Sequence, residues 1–298
     1  MSDATSQDVL IDHRVVSRLA GLQVLPRGLV DGNFAGMHRS PHRGASVEFA
    51  EYRKYVPGDD TRHIDWQVFA RTDRYYLKEF EADTNMRLFV VVDASNSMAF
   101  ARDHASKFEY ARRLAAVLSY LTIHQGDHVG LEVIGADVLR AIPSRGGPVH
   151  LHNMLACLGE FEPGGATDLA GVLHRLAEKF SRRAMVVVFS DFFCELAPLF
   201  DAFHHMHFRR HDLALFHLMD PAELDFGFDR PTRFNDLESN ASVLAEPEDI
   251  RSRYLDALYT YLDRLKHGSE EHGADYRLIR TDTSYEDVLS EFLLSRLN

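Results

Sequence analysis

Residues 88–92 (LFVVV) and 185–189 (MVVVF) are unbroken apolar runs rich in β-branched side chains. Runs this short and this apolar predict strands covered on both faces, as in a parallel sheet. Asp93 follows the first directly, and Asp191 stands two positions after the second. A third run, 213–218 (LALFHL), leads to Asp220. Residues 129–134 and 138–142 flank Gly135-Ala136-Asp137, a tight-turn composition that predicts an antiparallel hairpin at a sheet edge. Residues 276–279 form the last strand candidate.

Helical spacing fills the intervals. Phe108, Ala111, Ala115, Leu118 and Thr122 recur on one face after the first strand, and 169–180 forms a second helix. A third starts at Pro247-Glu248-Asp249, carries Lys266-His267 in its last turn and is expected to stop at Gly268. Thr283 or Ser284, with Glu286 or Asp287 three residues on, predicts a capped C-terminal helix through 292–294. Strands alternating with helices define an α/β protein with a mostly parallel sheet, helices on both faces and an antiparallel edge hairpin.

The first 83 residues break this alternation. They are rich in Gly, Arg and His to about residue 45, then continue as EFAEYRKYVPGDDTRHIDWQVFARTDRYYLKEFEAD. The expected division is therefore an N-terminal segment, 1–83, and a sheet domain, 84–298, with an acidic insertion near 221–246. In the N-terminal block Asp59 or Asp60 can cap a helix from Arg62 to Phe69. Arg53, Arg62 and Arg71 alternate with Asp59, Asp60, Asp65 and Asp73, which suits a salt-bridge lattice anchored by Trp66. The same residues, Arg53, Asp59, Asp60, Arg62, Asp65 and Trp66, are candidates for a partner surface.

Charge narrows the function classes. The 298 residues carry 33 Lys+Arg against 45 Asp+Glu, a net charge of −12 with His neutral. Residues 220–298 hold 9 basic and 18 acidic side chains, so nine of those charges lie in the last quarter. Such a chain is unsuited to nucleic acid or to an anionic membrane surface, and the acidic quarter is either a solvated face or a dock for a basic partner. Cys157 and Cys194 make no disulfide framework, the start lacks a cationic and apolar leader, and no membrane-length apolar run occurs. The expectation is a soluble cytoplasmic protein.

The chemistry gathers at strand ends. Asp93-Ala94-Ser95-Asn96-Ser97 follows a buried strand, where open α/β sheets collect ligands. One carboxylate and two hydroxyls at D-x-S-x-S spacing are hard oxygen donors suited to Mg²⁺ or Mn²⁺. Gly164-Gly165-Ala166-Thr167-Asp168 places a threonine hydroxyl at a helix mouth, and Phe189-Ser190-Asp191 ends a second strand with another carboxylate.

The set Asp93, Ser95, Ser97, Thr167 and Asp191 resembles the metal-ion-dependent adhesion site of von Willebrand factor A (VWA) domains. That resemblance implies a Rossmann-type VWA-like fold, a divalent cation held by these five residues, and an open coordination position for a partner's carboxylate. The block around YVPGDDTRHIDW, with Asp236-Leu237-Glu238 and 276–283 (YRLIRTDT), is similar to a bacterial "domain of unknown function" family commonly encoded beside MoxR-type AAA+ ATPases. Many members are longer and begin with membrane-spanning helices, so a membrane-tethered role is not carried over. The implied role is a non-catalytic adaptor or co-chaperone, working with such an ATPase to assemble or metallate an unidentified client protein.

Two alternatives stand beside it: a metal-dependent hydrolase using the same cluster, and a metal-free scaffold. Against hydrolysis, the position two after Asp93 is Ser95 where an aspartyl-phosphate enzyme needs a second aspartate, and neither a G-x-S-x-G elbow nor a phosphate loop is present. Cys157 and Cys194 sit in apolar company and read as buried residues. In the stretch His204-His205-Met206-His207 with His211, only the pairs 204/207 and 207/211 share a helix face, which is weak grounds for a transition-metal site.

Overall fold

The computed structural model describes residues 10–27, 48–56, 64–81, 86–228, 232–235 and 242–297. The chain divides into two units, Gly28–Asn85 and the rest, Met1–Arg27 together with Met86–Asn298. This differs from a single boundary at 83/84. Leu10, Ile11, Val15, Val16, Leu19 and Val24, on and around the His13–Leu19 helix, are buried in the main core, so the first described residues belong to the sheet unit.

In the smaller unit β1 (Glu48–Lys54) pairs antiparallel with β2 (Tyr76–Glu81), and the helix Trp66–Thr72 lies between them in sequence. That helix starts four residues later than the spacing predicts, because Asp65 is its cap, accepting from the backbone N–H groups of Gln67 and Val68. Trp66 is 60% exposed, touching Phe69 edge-on, so it is no apolar anchor. Arg71 donates to the Gln67 carbonyl, Arg53 lies on β1, and Asp59, Asp60 and Arg62 fall outside the described residues.

Among the described residues the main sheet of the larger unit has six strands: β3 (Arg87–Asp93), β4 (His128–Ile134), β5 (Val138–Arg145), β6 (Met185–Ser190), β7 (Asp212–Met219) and β10 (Asp275–Arg280). Their spatial order is β5-β4-β3-β6-β7-β10, all neighbours parallel except the β4–β5 edge hairpin. In chain order this is the doubly wound sequence 3-2-1-4-5-6, with its reversal between β3 and β6.

Strict alternation along the central strands separates two cores. Leu88, Val90, Val92, Met185, Val187 and Phe189 face the helices Lys107–His124, Pro148–Glu160 and Tyr285–Ser295. Val91, Val186 and Val188 face Leu169–Lys179 and Leu196–Phe208. A parallel strand buried on both faces needs apolar side chains at every position, which is why these runs are unbroken. The fold class is α/β, as the periodicity predicts.

Two local expectations change. The Pro247–Glu271 helix does not stop at Gly268; that residue is buried inside it, and a Cβ there would stand 2.2 Å from the Phe200 ring. The 221–246 insertion is not featureless: Asp220 and Glu223 form a capping box on the helix Pro221–Asp225, and β8 (Thr232–Asn235) pairs with β9 (Ser242–Ala245). Among the described residues no helix is long and apolar enough to cross a membrane.

Candidate functional site

Asp93 is the last residue of β3, and the chain leaves the sheet one residue later, after the Ala94 N–H donates to the Ile134 carbonyl at 2.8 Å. The loop then folds back on its own carboxylate: the Ser95 N–H donates to Asp93 Oδ1 at 2.9 Å. Ser190 Oγ, at the end of β6, donates to Asp93 Oδ2 at 2.7 Å. Ser95 Oγ and Ser97 Oγ stand 3.1 Å apart. Asp93, Ser95 and Asp191 are each 1% exposed or less.

The glycine-rich loop is tied to the same place. Asn96 N–H donates to the Gly165 carbonyl at 2.8 Å and Gly164 N–H to the Ala94 carbonyl at 2.7 Å, while Gly165 takes a φ of 77° that suits glycine. Thr167 is half-buried on this loop, its hydroxyl 3.4 Å from the Gly135 carbonyl, and Asp168 caps the following helix through the Gly171 N–H. The loops carrying Asp93, Ser95, Ser97 and Thr167 are thus joined by backbone hydrogen bonds. Asp191, beyond β6, is close enough for its charge to act on Asp93.

After Asp191 the backbone turns sharply. Phe192 adopts a left-handed φ of 51°, an uncommon conformation for a bulky residue. Tyr261 holds it there: its hydroxyl reaches the Phe192 carbonyl at 2.5 Å and the Cys194 carbonyl at 2.8 Å, and the Cys194 N–H lies 3.2 Å from it. Phe193, 41% exposed, is left on the rim.

The electrostatics of the two aspartates differ. Burial, then the neighbouring Asp191 charge, pushes the Asp93 carboxyl up to about 6, against the opposing hydrogen bonds from Ser190 and Ser95. Asp191 has a cation: Lys107 Nζ lies 2.7 Å from its Oδ2 and 2.8 Å from Glu223 Oε1. Burial pulls the Lys107 ammonium down, but Asp191 and Glu223 outweigh it and hold it above its ordinary value, hence charged. His217, across from Ser190 on β7, is pushed down to about 3 by burial and stays neutral, its Nδ1 2.8 Å from the Tyr276 hydroxyl.

The sequence reading missed Lys107 and Glu223. Lys107 carries no signal, because the first position of an amphipathic helix ordinarily faces water. Glu223 had one: Asp220 followed three residues later by a glutamate is a capping-box spacing.

The histidine stretch disperses. His205 meets His174 (Nδ1 to Nδ1, 3.0 Å) and Glu178 (2.8 Å), His204 packs edge-on to His272, and His211 Nδ1 accepts from the Ala184 N–H. Among the described residues no group of three or more His, Cys, Asp and Glu is arranged to hold a metal. Only two carboxylates, Asp93 and Asp191, belong to the oxygen-rich set at the switch point, so its character rests on hydroxyls.

The sheet order, the antiparallel edge strand and the D-x-S-x-S loop at the reversal define a VWA-like α/β domain. The chain belongs to the DUF58 family, described as proteins of unknown function, whose model matches residues 51–260. An uncharacterised protein of Mycobacterium bovis is 27% identical over 293 residues, 96% of this chain and 90% of the relative. Bacillus subtilis YeaD is 30% identical over 114 residues, 38% of this chain and 26% of that protein. Among solved structures, BatB from Bacteroides thetaiotaomicron aligns with a TM-score of 0.46 at 14% identity, over 72% of this chain and 99% of that one. The SpRpn10 VWA domain aligns with a TM-score of 0.41 at 11% identity, over 70% and 95%.

Proposed function

We propose that this protein is a binding adaptor in which Asp93, Ser95, Ser97, Thr167 and Asp191 hold Mg²⁺ or Mn²⁺, and that the ion captures a carboxylate of a partner. The observation that carries this reading is the state of Asp93. It is a fully buried carboxylate beside a second one, and its hydrogen bonds come from a backbone amide and a serine rather than from a cation. A divalent ion would relieve that imbalance. The donor types fit: the 3.1 Å between the Ser95 and Ser97 hydroxyl oxygens matches the roughly 3.0 Å edge of an octahedron with bonds of about 2.1 Å. With few protein charges the ion would remain an electrophile and so attract an outside carboxylate.

A MoxR-type AAA+ ATPase and its client are the proposed partners, in assembly or metallation of another protein complex. The exposed Trp66 favours a partner-facing role for the N-terminal block, and the acidic last quarter offers a surface to basic groups. Hydrolysis by the same cluster is the rival reading. It would show as turnover of phosphate or ester substrates that disappears in Asp93→Ala.

The direct test is thermal melting with and without Mg²⁺ or Mn²⁺. At about a hundred times the dissociation constant, linkage adds roughly 2.7 kcal/mol. For a chain of this size, with an unfolding entropy of about 2.1 cal/mol/K per residue, the melting temperature should rise by about 4 °C. The rise should vanish in Asp93→Ala. A rise that persists in that variant would place the ion elsewhere.

A further inference from the structure

Lys107 is the first residue of its helix, directly after the Ser106 cap. A lysine there ordinarily reaches into water, away from the positive end of the helix dipole. Here the side chain is 1% exposed, with the rings of Phe100 and Phe193 centred 5.8 and 5.5 Å from its ammonium. Burying an ammonium is unfavourable unless it is well paired. It is paired with two carboxylates at once. One, Asp191, belongs to the proposed metal set; the other, Glu223, does not.

Glu223 is a fixed acceptor. Its second oxygen takes the Asp220 N–H at 2.8 Å within the capping box, and its carbonyl takes the Tyr254 hydroxyl at 3.0 Å. Lys107 can therefore release Asp191 and still keep a carboxylate partner.

We infer that Lys107 is a built-in competitor for the metal: its ammonium pairs with Asp191 when no ion is bound, yields that carboxylate to an arriving divalent ion, and remains on Glu223. This rests on the metal reading above and adds a residue that sets its affinity. The retained positive charge repels the ion across a low-dielectric gap, so the site binds free cation weakly. A partner's carboxylate, by adding negative charge to the ion, offsets that repulsion. Occupancy of the ion and capture of the partner thereby become coupled.

Titration calorimetry with MnCl₂ on the full chain, at fixed ionic strength, tests this. Lys107→Met should bind Mn²⁺ at least tenfold more tightly than the native chain. Glu223→Gln keeps an acceptor for the capping box but leaves Asp191 as the sole carboxylate for Lys107; it should bind more weakly. If the native chain binds and Asp93→Ala does not, yet Lys107→Met binds equally or more weakly, the competitor role is wrong while the metal reading survives. If neither the native chain nor Lys107→Met binds, both fall. Should Lys107→Met fail to fold by circular dichroism, adding it to Glu223→Gln removes the charge of both partners, and a tenfold gain over Glu223→Gln alone is then the expected result.

Discussion

Replacing Arg296 with Met is expected to destabilise the protein by about 3–5 kcal/mol, the range for removing one partner from a buried ion pair. The Arg296 side chain is fully buried just past the C-terminal helix. Its guanidinium donates to Asp212 at the start of β7, to Asp275 at the start of β10 (3.2 Å) and to the Leu25 carbonyl (3.2 Å). One cation thus closes the amino ends of two parallel strands and clamps the strap of residues 22–27. Without it two buried carboxylates lose their common counter-ion. Arg27 and Arg277 also reach Asp275, at 3.2 and 3.4 Å, so the loss should fall toward the lower end of the range. Arg18→Ala is the control: its pair with Glu286 is exposed (69% at Arg18) and should contribute less than about 1 kcal/mol. Urea unfolding of both variants measures the contrast. Equal midpoints would refute the clamp.

The second large effect is a stabilisation. In EDTA, Asp93→Asn should be more stable than the native chain near pH 8, by up to about 3 kcal/mol. The native-state carboxyl of Asp93 is raised from 3.8 to about 6, so between those values the folded protein holds a proton that the unfolded chain has released. Stability is therefore lost as the pH rises through that window, and the full penalty stands above it. At about 1.4 kcal/mol for each tenfold change, the gap from 3.8 to about 6 gives the quoted figure. Asn keeps an oxygen for the Ser95 N–H and carries no charge to repel Asp191. The advantage should fade toward pH 4, where both proteins are neutral at this position. Saturating Mg²⁺ should erase or reverse it at pH 8. An advantage of the same size at pH 4 and pH 8 would mean that packing, rather than charge, separates the two proteins.

Much of this molecule was legible along the chain. Short, nearly unbroken apolar runs read as buried strands, helped by β-branched residues in β3 and β6, so β3, β6 and β7 and their alternation with helices follow from composition and period. The polar residues that end those runs must lie at the carboxyl edge, which brings Asp93, Ser95, Ser97 and Asp191 together as soon as β3 and β6 are neighbours. Local signals failed where a distant group overrode them. Gly268 reads as a helix end, but the Phe200 ring lies where its Cβ would stand, and the helix continues. Trp66 reads as an anchor and is exposed, since Asp65 caps the helix and makes Trp66 its first residue.

What the sequence determined by itself is the sheet, its two apolar faces and the oxygen donors at its switch point, because hydrophobic period and strand-end chemistry are local properties. Only the tertiary structure decided which charges meet. Lys107 and Glu223 are 116 residues apart, and Arg296 stands 84 residues from Asp212. No spacing rule relates such pairs, and their energies depend on burial, which exists only once the whole core has closed.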